Sequence, residues 1–139
     1  AEIAAARLAL AQARTDPARQ FAQRMIDDHT QANTQMAELA RADTLSAAPS
    51  PLTDYVDHLG AQALTVLHAV PGAAFDSAYA GTQVGAHQAA LAMLDGKLIP
   101  GAARADVRAF LVSLRGTVAE HLQHAIEVAA TLATPEEAR

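Results

Sequence analysis

Apolar side chains recur every three or four residues through nearly the whole of this 139-residue chain. From Pro17 to about Ala42 the stripe is Phe21, Met25, Ile26, Ala32, Met36 and Leu39, the repeat that marks one face of a long α-helix. A second stripe holds Val56, Leu59, Ala63, Val66 and Val70, and a third holds Phe75, Tyr79, Val84, Leu91 and Leu94. The fourth is a near-heptad seam: Val107, Leu111, Leu114, Val118, His121, Ala125, Val128 and Leu132. A shorter opening segment puts Ile3, Ala6 and Leu10 on one side. Composition agrees, with 36 Ala against 7 Gly and 6 Pro: alanine loses no side-chain entropy in a helix, whereas glycine and proline break one.

The local signals divide these stripes into helices at about 2–14, 17–42, 53–69, 74–98 and 103–132. Asp16 is expected to cap the second, with Pro17 as its first helical residue. Ser50 or Thr53 is expected to cap the third, after a loop at Asp43 to Leu52. Pro71-Gly72 and Pro100-Gly101 supply the remaining stops. Four long amphipathic helices on short connections predict an all-α fold, an up-down-up-down four-helix bundle with the short first helix packed against it. One domain over 1–139 is expected, since a chain this long hides roughly 68–70% of its extended surface without staples.

Charge and motifs exclude several functions. Ten Lys plus Arg against fifteen Asp plus Glu, with no basic run, leave no footprint for nucleic acid. No segment approaches the roughly 20 apolar residues of a membrane-spanning helix, and there is no Cys for a disulfide, a nucleophile or a thiolate ligand. No glycine-rich phosphate loop and no serine elbow occurs. A di-iron carboxylate centre needs Glu-x-x-His on two helices. Glu38, Glu120 and Glu127 have no His three residues later, which disfavours a ferroxidase. The chain is not expected to be an enzyme.

What remains is a set of polar residues on apolar stripes, where an unpaired polar group hidden from water costs free energy. His29 lies four residues after Met25, His87 four before Leu91, and His121 within the fourth seam. At 1.5 Å per residue, His29 and His87 stand about 18 and 20 Å along their helices, and His121 reaches a similar level on a descending one. Asp28, Asn33, Gln83 and Tyr79 lie on neighbouring turns. Imidazoles from facing helices plus an oxygen donor are how bundles build sites for a divalent transition metal such as Zn, Cu or Fe. The same residues also suit a hydrogen-bonded His/Asp/Tyr network that fixes register and binds nothing. Both readings stay open. Glu120 with His124 and Asp54 with His58 read as exposed i,i+4 pairs, His68 as an edge histidine, and Met25, Met36 and Met93 as core filling.

Phe21-Ala-Gln-Arg-Met-Ile-Asp-Asp-His-Thr-Gln-Ala-Asn33, then Gly72-Ala-Ala-Phe-Asp-Ser-Ala-Tyr79, His87-Gln88 and His121-Leu122 resemble the exported bacterial proteins of domain of unknown function 4142. The resemblance implies a ferritin-like four-helix bundle, an N-terminal export or lipoprotein signal, and a place in the periplasm or at the envelope. It implies no activity. Members are often labelled outer-membrane proteins, but the alternating strands of a β-barrel are missing here. The start at Ala1 without an initiator Met fits an upstream segment that has been removed. The family's hallmark positions fall on Asp28, His29, Thr30, Asn33, Phe75, Asp76, Tyr79, His87 and His121. Expectation therefore places a metal on His29, His87 and His121 with Asp28, Asn33, Asp76 and Tyr79 as accessories, and an envelope protein as the alternative partner. Asp76 also suits an early-helix carboxylate that satisfies backbone N–H groups.

Overall fold

Alanine lets the first two helices come close. In the computed structural model, which describes residues 1–42 and 50–133, α1 (Glu2–Gln12) lays Ala5, Ala6 and Ala9 against α2 (Asp16–Ala42), whose buried side chains are Ala18, Phe21, Ala22 and Met25. The other elements are α3 (Pro51–Ala69), a 3-10 turn (Gly72–Ala74), α4 (Phe75–Met93), a π-helical turn (Leu94–Leu98), the short α5 (Ile99–Gly101) and α6 (Ala105–Ala133). Helix accounts for 92% of the described residues, and no strand occurs among them. The fold is all-α, as the periodicity predicts. By contacts the chain divides into two compact units, Ala1–Tyr79 and Ala80–Arg139, and the division falls within the continuous helix α4.

In the first unit, α3 joins α1 at Gly60, which is buried where Ala1 comes so close that a Cβ on Gly60 would overlap it. Ser50 caps α3: its hydroxyl accepts from the Thr53 N–H while the Thr53 hydroxyl accepts from the Ser50 N–H, a reciprocal capping box. The rest of the expected loop at Asp43 to Leu52 lies mostly outside the described residues. Gly72, at φ +77, makes the turn after Pro71 that a side chain would strain. Asp16 is not the cap of α2. It is the first helical residue and pairs with Arg19 at 2.6 Å, while the Thr15 carbonyl accepts the Arg19 N–H.

Two apolar stripes of this unit are wetter than periodicity suggests. Burial along α2 ends at Met25, and Met36 is 40% exposed. The cause is length: the eleven residues of α1 extend about 16 Å beside an α2 of about 40 Å. On α3 only Gly60 and Leu67 are buried, so Val56 and Val66 are exposed although they share the predicted stripe. Contact with α1 covers a narrower strip of α3 than the sequence offers.

The second unit has its own core. Leu94, Ala102, Leu111 and Val118 are buried together, with Leu91, Leu98, Ile99, Val107, Phe110 and Leu114 packed around them. Further along α6, His121, Ala125 and Val128 continue the seam, all buried, as its heptad spacing predicts. Pro100-Gly101 does not end the helix predicted over 74–98 by itself. The helix first widens into the π turn and closes through α5. Arg115 of α6 grips Asp95 of that turn with two bonds, 2.6 and 2.9 Å.

Candidate metal site

The buried face of α4 carries an unusual series of groups. Phe75, Asp76, Tyr79, Gln83 and His87 recur at helical spacing, and all are buried. The first three close the core of the first unit. Tyr79 lies between Phe21, at a centroid distance of 6.0 Å, and Phe75, stacked at 6.5 Å. Burial and the negative charge of Glu2 push the Tyr79 phenol far above its ordinary value, so it stays protonated.

Asp76 is a fastener. Its carboxylate accepts from the Arg14 N–H at 3.0 and 3.1 Å, from the Thr15 N–H at 2.8 Å and from the Thr15 hydroxyl at 2.6 Å. These bonds tie the start of α4 to the reversal between α1 and α2 across more than sixty residues of sequence. Backbone N–H groups with no other acceptor at a chain reversal are costly to bury, and a carboxylate satisfies several at once. Of the two roles the sequence leaves open for Asp76, this is the satisfaction of backbone N–H groups, although the donors lie at the head of α2 and not in its own helix. Eleven residues, about 16 Å of helix, separate Asp76 from His87, and eight separate Tyr79 from it. Neither accessory shares a level with that imidazole.

In the second unit the sequence-predicted histidines meet. His87 and His121 are 3% and 2% exposed, and their rings stand edge to face at 83° with centroids 5.3 Å apart. The Nδ1 of His87 lies 2.8 Å from the backbone carbonyl of Gln83, one turn earlier. A carbonyl accepts only, so Nδ1 carries the proton and donates, which leaves the lone pair on Nε2. Such a bond fixes both tautomer and ring orientation, as the outer partners of metal-ligating histidines do. Sequence reasoning noticed Gln83 for its side chain and missed that its main chain sets the His87 ring. No sequence pattern signals a carbonyl.

His29 stands on α2 of the first unit, half-buried, one turn beyond the buried Met25. Its neighbour Asp28 is half-buried and paired with Arg24 at 3.2 Å. Asn33 is exposed. Of the remaining histidines, His58 and His68 are exposed, as are Asp54 and Glu120, and His124 is half-buried.

The family called Domain of unknown function (DUF4142) matches residues 1–128. The chain belongs to the DUF4142 family. No curated protein and no solved structure matches it. The match takes in every candidate ligand of this DUF4142 protein, from His29 on α2 to His121 on α6. The family's description assigns no activity, so any function must be argued from the residues themselves. Among the described residues no helix is long and apolar enough to cross a membrane.

Proposed function

We propose that this DUF4142 protein is a non-enzymatic metal-binding protein of the bacterial envelope, ferritin-like in architecture, in which His29, His87 and His121 together hold one divalent transition metal. The observation that carries the reading is the buried pair of His87 and His121, with the His87 ring held through its Nδ1 on the Gln83 carbonyl. Two imidazoles are a costly content for an alanine-rich core unless they are put to use. Helical register supports the third. Phe21 meets Tyr79, and the same step of eight residues leads from Phe21 to His29 and from Tyr79 to His87, about 12 Å along each axis. In the up-down-up-down bundle expected from the sequence, the first and third long helices run in one direction, and equal steps are the reason to propose His29 as the third ligand. Nitrogen donors without thiolate suit Zn, Cu or Fe. Placement in the periplasm or at the envelope rests on the sequence resemblance alone and is checked by fractionating cells that express the full-length protein.

Metal analysis and calorimetry on protein prepared without a His-tag test the site. One equivalent of Zn, Cu or Fe is expected to bind. Free Zn at a hundredfold its dissociation constant is expected to stabilise the protein by about 2.7 kcal/mol. His87→Ala and His29→Ala should each abolish that gain. Stabilisation by Zn that survives both substitutions, or no binding at all, removes the site and leaves the alternative: a structural or partner-binding bundle. That second reading is favoured by the exposed Tyr55, Val56 and Val66 on α3, apolar side chains that an envelope partner could cover.

A further inference from the structure

His87 and His121 belong to one compact unit, so the separation of their rings is set inside it. Leu91, one turn after His87, and Val118, three residues before His121, join a single apolar cluster that holds α4 and α6 together beside the pair. The Gln83 carbonyl orients the His87 ring from one turn earlier. Both rings are almost wholly buried, and side chains in a close-packed interior keep to fixed rotamers on average. The centroid distance of 5.3 Å is therefore a property of the packed core and not of two mobile side chains.

A metal on an imidazole lies on the line from the ring centroid through the bound nitrogen. At the Zn–N distance of 2.0–2.1 Å the ion stands about 3.2 Å from the centroid, whichever nitrogen binds. Two ligating rings 5.3 Å apart then subtend about 110° at the ion, the angle of a tetrahedron. Adjacent ligands of a square-planar or octahedral ion would need centroids about 4.5 Å apart, and opposite ligands about 6.4 Å. The steep angle of 83° between the ring planes is no obstacle, because twisting a ring about its own bond to the metal leaves the ligand angle unchanged. Resting on the metal-binding reading above, we infer that the His87–His121 pair selects a tetrahedral ion, Zn(II), and discriminates against Ni(II), which prefers square-planar or octahedral surroundings. Nitrogen sites without such a constraint bind Ni(II) more tightly than Co(II). Here the packed core opposes that order, since Co(II) adopts the tetrahedral arrangement that the rings offer and Ni(II) does not.

Cobalt(II) makes the geometry visible, because its absorption bands are strong in four-coordinate sites and weak in six-coordinate ones. Protein prepared without a His-tag is titrated separately with Co(II), Ni(II) and Zn(II). The strong bands are expected to saturate at one equivalent of Co(II), and Co(II) should bind about tenfold more tightly than Ni(II), the reverse of the ordinary order. His121→Leu and His87→Gln, each checked for parental helical circular dichroism, should abolish the bands. If one equivalent of Co(II) binds through these histidines but shows only the weak bands, or if Ni(II) binds more tightly than Co(II), the tetrahedral inference is overturned and the metal site stands. If neither Co(II) nor Zn(II) binds stoichiometrically, or if the bands survive both substitutions, both fall.

Discussion

Asp76 and His87 lie on one face of one helix, both almost wholly buried, and they are treated in opposite ways. The carboxylate is consumed: two backbone N–H groups, that of Arg14 shared between both oxygens, and one hydroxyl make four contacts with it and leave it no capacity for a ligand. The imidazole is instead oriented, with one nitrogen turned to its own helix and the ring set edge-on to His121. A buried polar group whose donors and acceptors are all spent holds the fold. The ring of His87 is set by a bond along its own helix, from Nδ1 to the Gln83 carbonyl, and ties no second element of the chain to α4 through that nitrogen. Burial alone does not separate the two, and hydrogen-bond direction does.

The largest effect that can break this distinction is on stability. Asp76→Ala strands the Arg14 and Thr15 N–H groups and the Thr15 hydroxyl in one step. It is expected to cost roughly 3–5 kcal/mol in urea denaturation, because buried donors left without acceptors lose their full solvation. His121→Leu, measured without metal, replaces a polar ring by an apolar side chain of similar bulk and is expected to cost under about 1 kcal/mol or to stabilise. Equal losses at the two positions would mean that His121 is as structural as Asp76.

The sequence makes the two groups look alike, and the reason is physical. Periodicity places Asp76, Tyr79, Gln83 and His87 on a buried face because helical spacing is local, and it places the α6 seam correctly through Val118, His121, Ala125 and Val128. It cannot say which partner a buried group finds across sixty residues, so the bond from Asp76 to the reversal at Arg14 and Thr15 is not legible. Nor can it say how far a neighbour extends, and Met36 and Val56 are therefore read as core although they are exposed. The π turn at Leu94–Leu98 carries no proline and no distinctive spacing; Pro100-Gly101 draws the prediction of a helix end. Of the candidate ligands, the pair His87 and His121 follows from pattern, whereas the tether of His87 is a main-chain atom that no residue type announces.

A smaller effect sharpens the value of the Asp76 fastener. Both units close a chain reversal with the same device, an arginine six residues after a buried alanine whose carbonyl it holds: Arg19 on Ala13 at 2.7 Å and Arg108 on Ala102 at 2.6 Å. Only the first reversal is also held by Asp76. Losing the arginine should therefore be felt less where a second fastener remains. Arg108→Ala is expected to cost about 1–1.5 kcal/mol and Arg19→Ala about half as much, the range of an ordinary hydrogen bond, because both bonds are only partly buried. The order should invert on an Asp76→Asn background, where the first reversal depends on Arg19.

The smallest effect isolates burial itself. Asp95 accepts two short bonds from Arg115, at 2.6 and 2.9 Å, comparable in length to those on Asp76, but both partners are wet. The hydrogen bonds from Arg115 hold the Asp95 carboxyl below the usual carboxylate range. A carboxyl lowered in the folded state contributes stability that is present above its unfolded value and is lost as pH falls through the lowered one. At that surface the contribution is screened by water and salt, so Arg115→Ala should destabilise less than Arg19→Ala, and less still in high salt. Carbon-13 NMR of the side-chain carboxyl gives the direct measurement: Asp95 should titrate below an ordinary aspartate in the parent protein and move back up in Arg115→Ala. A titration that does not move would show that the ion pair is not formed in solution. A large loss of stability would show that bond count, and not the exclusion of water, is what sets Asp76 apart.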